Sequence, residues 1–166
     1  MNKSKFTTLF IVTQVIYLTM IFITIPIIME FSQWNKLIDM MPSWYTFEYV
    51  NNLLNILWKE WISNYLFPQL TLDFIYPWLF IITYYHAIKL LWNNNNYILL
   101  LPIIAWISDY IENIFLLIIL KWYDFSETYI NIMSYFSVSK ALFTTLTFII
   151  ILFFIFKIIY LKIKKS

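Results

Sequence analysis

Four apolar runs, each about as long as a bilayer is thick, constrain this chain more than anything else in its sequence. They cover residues 6–29, 72–92, 97–120 and about 135–161, and roughly 20 consecutive apolar residues are what a helix needs to cross a membrane. In lipid, every backbone polar group must be satisfied within its own segment, which leaves helices as the spanning element. The expected fold is therefore all-α: a polytopic four-helix membrane bundle forming a single domain over residues 1–166. Composition agrees, because 62% of the residues are hydrophobic and 12% charged, whereas soluble chains carry about 25% charged residues. The first run is longer than the 7–15 residues of a signal-peptide core, and no small-residue cleavage site follows it. It is expected to stay as an anchor.

Lysine placement sets the expected threading, since basic loops stay cytoplasmic. Lys3, Lys5, Lys89, Lys157, Lys162, Lys164 and Lys165 fall on one side if both termini are cytoplasmic, and no acid joins them there. Glu30, Asp39, Glu48, Glu60, Asp124 and Glu127 fall in the two opposite loops. The expected location is a membrane crossed several times, either plasma membrane or endoplasmic reticulum. The spacing of Lys162 and Lys164 resembles a dilysine retrieval signal, but a plain positive-inside stop is the preferred reading. Asn93–Asn96 suits a tight hairpin between the second and third runs. Seven lysines scattered over three short segments make no basic face, so nucleic acid is not an expected partner. Membrane lipid is, and a homo-oligomer is compatible with the sequence.

The first outer loop carries a second kind of helix. Phe47, Val50, Leu53, Leu54, Leu57, Trp61 and Tyr65 recur at helical spacing, with Asn52, Asn55, Lys59, Glu60 and Ser63 on the other face. The pattern predicts an amphipathic helix over about 46–66, with Thr46 as N-cap and Glu48 in the favourable first turn. Trp58 and Trp61 suit the headgroup level. Such a helix lies on the surface or caps the bundle as a lid.

Several chemistries are excluded by what is missing. With no Cys there is neither a disulfide framework nor a thiolate site, and with no Gly the phosphate-cradling loops and GxxxG seams are absent. His86 is the one histidine, about 20 Å along its helix from Asp73, so no metal site is expected. Beside Tyr84 and Tyr85 it reads as an interfacial residue. No cofactor motif is present.

The unusual chemistry sits in the third run. Asp109, Glu112 and Asn113 lie in the middle of LPIIAWISDYIENIFLLIIL. The fifteen Ile, Leu and Phe between 98 and 120 supply roughly −5 to −9 kcal/mol of insertion free energy, against roughly +5 to +7 for two ionised acids near the centre. A helix so close to break-even should turn its acids away from lipid, and positions 109, 112, 113 and 116 share one face. By depth, Lys140 on the fourth run is the expected partner and Asp73 on the second approaches from the same side, with Ser137 and Ser139 nearby. Two carboxyls at i, i+3 repel, so one is expected to be protonated unless Lys140 or a bound cation compensates. A Ser-Lys pairing of Ser137 or Ser139 with Lys140 is the only nucleophile arrangement on offer.

These residues resemble a group of small four-helix integral membrane proteins with no assigned function. The likeness rests on Asp39, Pro42 and Tyr45, on Tyr65, on Asp73 and Pro77, on Pro102, Asp109, Glu112 and Asn113, and on Lys140, and covers about residues 26–140. Glycines expected before Tyr45 and near Lys59 are missing. The resemblance implies the same topology and polar cluster, and no reaction.

Three functions remain open. In the favoured one, Asp73, Asp109, Glu112, Asn113 and Lys140 bind a small polar group, a cation or a lipid head group in the non-cytoplasmic half. In the second, an intramembrane lipid-modifying enzyme uses paired carboxyls as acid and base. The third is a structural or assembly protein, in which the same groups are polar glue between helices. Whether the chain is an enzyme, and which residue would be catalytic, the sequence leaves undecided.

Overall fold

In the computed structural model, which describes residues 2–64, 68–92, 96–122 and 125–164, the chain is helical with no strand among the described residues. α1 (Lys3–Thr19) runs through a π turn (Met20–Thr24) into α2 (Ile25–Phe31). After a short 3-10 turn (Ile38–Met40) come α3 (Phe47–Asn64), α4 (Pro68–Leu91), α5 (Leu100–Trp122) and α6 (Glu127–Ile163). Four helices are long and apolar enough to cross a membrane: Lys3–Phe31, Thr71–Leu91, Tyr97–Lys121 and Glu127–Ile163. α5 packs against α6 and α4, and α1 packs against α4.

The π turn has a local cause. Pro26 lacks an N–H for the carbonyl of residue 22 and its ring crowds that turn, so the helix widens just before it, with the Ile25 N–H reaching back to the Met20 carbonyl. At the end of α2, a chain without glycine must use other residues in the left-handed region. Gln33 (φ 53°) and Trp34 (φ 63°) do so, with the Trp34 N–H closing on the Met29 carbonyl at 2.7 Å. Ser32, fully buried, holds this corner by donating its hydroxyl to the carbonyls of Met29 and Asn35.

α3 follows its expected pattern closely. Thr46 caps it, its hydroxyl accepting from the Tyr49 N–H at 3.2 Å. Val50, Leu53, Leu54 and Leu57 are buried against Leu116, Ile119 and Leu120 of α5 and Ile130 and Met133 of α6. Burying those four α3 side chains contributes roughly 6–12 kcal/mol as an upper bound. α3 is thus a cap with a packed core beneath it. The Trp58 and Trp61 side chains, Tyr65, and the Asn93–Asn95 part of the hairpin lie outside the described residues.

The fourth span begins earlier than the expected residue 135. α6 starts at Glu127, with Ser126 as N-cap accepting from the Tyr129 N–H. Its 37 residues reach about 55 Å, well beyond the roughly 30 Å of a hydrocarbon core. The extra turns carry polar residues, Asn131 and Ser134 among them, that mimic a loop in sequence. They are helical because Ile130, Met133 and Ser134 are buried under α3.

A polar seam joins α1 to α4. The Thr13 and Thr83 hydroxyls meet at 2.7 Å, both fully buried, and the Gln14 amide donates to the Tyr84 hydroxyl at 3.0 Å. Thr83→Val should cost about 0.6 kcal/mol, the average for one interhelical hydrogen bond in a membrane protein. Unfolding in mixed micelles reads this, and a loss above about 2 kcal/mol would mean the seam holds more than that bond.

Candidate functional site

The sequence put Asp109, Glu112 and Asn113 on one face of α5, and that face turns inward. Glu112 and Asn113 are buried, and the Asp109 side chain keeps 18% of its surface. α6 brings Lys140 to both acids, 3.4 Å from Asp109 Oδ1 and in direct contact with Glu112 Oε2. Glu112 Oε1 accepts from the Ser137 hydroxyl, whose oxygen also lies 2.9 Å from the Tyr45 hydroxyl. With Ser137's proton on Glu112, Tyr45 is the donor of that last bond.

Asp73 joins through its backbone, for a reason written into α4. Pro77 lies inside α4 and has no N–H to give to the carbonyl four residues back. That carbonyl belongs to Asp73, and it accepts instead from the Asn113 side-chain amide at 2.7 Å. The same Asn113 amide reaches Asp109 Oδ1 at 3.4 Å. Thus Tyr45, Ser137, Glu112, Lys140, Asp109, Asn113 and Asp73 form one continuous polar chain tying the α2–α3 connection to α6, α5 and α4.

The five expected site residues therefore lie together, but they do not play equal parts. A cavity of about 390 Å³ opens beside the chain, and Asp73, Asp109, Asn113, Ser137 and Lys140 line it. Its volume is in the range that holds small ligands. Glu112 does not line it; fully buried, it stands behind the wall and holds Ser137 and Lys140. Ser139 is also outside the wall, its hydroxyl 2.9 Å from that of Ser108. His86 points its Nδ1 at the Ile82 carbonyl, 2.8 Å away, about 20 Å along α4 from Asp73.

No family model matches this chain, and neither a curated protein nor a solved structure does. The site stands on its own geometry.

The remaining wall is largely apolar, with hydroxyls at Tyr76, Thr144 and Thr145, and was not legible as a site. Tyr17, Met20 and Ile21 come from α1 and its π turn, Phe80 from α4 and Phe148 from α6, while Met40, Met41 and Pro42 line the end nearest α3. Tyr17 stacks on Tyr76 at 5.6 Å, which closes α1 against α4 at the same level. The one sequence signal for this half was Pro26, a helix breaker in an otherwise continuous apolar run.

Proposed function

We propose that this cavity binds a small polar or cationic group, with Asp73 and Asp109 as its acidic wall, Asn113 and Lys140 completing it, and Glu112 supporting them from behind. The observation that carries this reading is the cavity itself: one wall polar and charged, the rest largely apolar with hydroxyl-bearing side chains at Tyr17, Tyr76, Thr144 and Thr145, and enough volume for a head group. Asp109 and Glu112 both lean on Lys140, so two carboxylates share one ammonium, and this favours a positively charged occupant. Among the described residues no three metal-ligating side chains converge on one point, which favours an organic cation over a metal ion. In the threading expected from the lysines, both termini are cytoplasmic and the cavity opens toward the opposite side.

Asp109→Asn tests the proposal. Purified wild-type protein should melt higher with added total lipid extract than without it, and Asp109→Asn should lose most of that gain while its lipid-free melting temperature stays near wild type. A variant that keeps the full gain means that lipid binds elsewhere. Glu112→Gln, behind the wall, should instead melt lower in both conditions.

A further inference from the structure

We infer that the occupant is a membrane amphiphile whose cationic head sits against Asp109 and whose hydrocarbon chain leaves the cavity sideways between α1 and α6; this rests on the binding reading above. α1 packs against α4, and α6 against α5 and α4. The cavity lies between these pairs, with α4 and α5 behind it and the seam between α1 and α6 in front. Side chains on both sides of that seam line the cavity: Tyr17 and Ile21 on one, Thr145 and Phe148 on the other. Tyr17 is 38% exposed and Thr145 is also exposed. They belong to the cavity wall and to the flank of the bundle at once, so the cavity reaches the flank there.

The level of that opening identifies what lies outside it. Tyr17 is 14 residues from each end of the span Lys3–Phe31, which places it about 21 Å from either end, at mid-span. In a bilayer that is the depth of acyl chains. The cavity also reaches the surface at its end near α3, where Met40, 40% exposed, and the exposed Pro42 line it, so what the occupant carries besides its charge is read from the lining. The apolar lining at Met20, Ile21, Phe80 and Phe148 suits a hydrocarbon chain and offers a free inorganic ion nothing. Head on the acidic wall and chain through the seam satisfy both halves of the cavity with one molecule.

The test uses full-length protein in nanodiscs of phosphatidylglycerol, whose head group carries no cation, and compares hexadecylamine, hexadecanol and, in the buffer, propylamine. Hexadecylamine alone should raise the melting temperature, by about 5 °C at saturation. Thr145→Trp should remove that gain by filling the seam, whereas Ile132→Trp, at a position that is 44% exposed on the same helix but turned about 140° away from Thr145, should keep it. Propylamine matching hexadecylamine would overturn the sideways chain and leave the cation site standing. Hexadecanol matching it would overturn the cationic head. No shift with any of the three defeats the inference and the binding reading together. A full gain in Thr145→Trp overturns the route between α1 and α6.

Discussion

Lys140→Met is expected to cost the protein about 3–5 kcal/mol, the usual price of leaving one partner of a buried ion pair without the other. Glu112 is fully buried, and the contacts that stabilise its charge are the Lys140 ammonium and the Ser137 hydroxyl. Remove the ammonium, and one neutral hydrogen bond is left to compensate a carboxyl in a low-dielectric interior, which is a costly arrangement. The double variant Lys140→Met with Glu112→Gln should regain most of the loss, because a neutral amide keeps the bond to Ser137 and needs no counter-charge. Unfolding the four species in mixed micelles gives the coupling directly. If Lys140→Met alone unfolds like wild type, the contact between Lys140 and Glu112 contributes no ion-pair stability.

Asn113→Ala should cost about 2 kcal/mol, and the reason lies on another helix. Its amide supplies the hydrogen bond that Pro77 withholds from the Asp73 carbonyl, at 2.7 Å. Without it a buried backbone acceptor is orphaned, at roughly 1–3 kcal/mol. Pro77→Ala restores a backbone N–H at the right spacing, so the penalty of Asn113→Ala should fall below about 1 kcal/mol in that background. An equal penalty with and without Pro77 would assign the loss to the Asn113 contact with Asp109 instead.

How much of this was legible follows from what each signal depends on. The four long helices are written in continuous hydrophobicity, which needs no tertiary information. α3 was legible because its period of apolar residues and its Thr46 cap agree. The start of α6 was not, because Asn131 and Ser134 look like loop residues until α3 is seen above them; the Ser134 hydroxyl donates to the Tyr45 carbonyl at 3.0 Å. Depth along the helices was enough to bring Lys140 to Asp109 and Glu112. It was not enough to say which acid faces the cavity, since a small rotation of α5 about its axis, set by packing, decides between positions three residues apart. Pro42 and Tyr45 stood out only through the family resemblance and were given no place in the site, and Met40 and Met41 were not singled out at all. Their roles depend on where a connection folds back, and nothing periodic encodes that.

A π turn is an ordinary helix with one residue too many. Between Met20 and Thr24 the first span absorbs that surplus without breaking, and everything after it is carried round the axis by about 100° relative to an uninterrupted α-helix. The two ends of the span therefore answer to different neighbours: Thr13 and Gln14 keep register with α4, while Ile28 belongs to the core beneath α3. The extra residue decouples the two registers. Each half of the span keeps the face its own neighbours need, and the place where the two registers meet, at Met20 and Ile21, is the wall of the cavity.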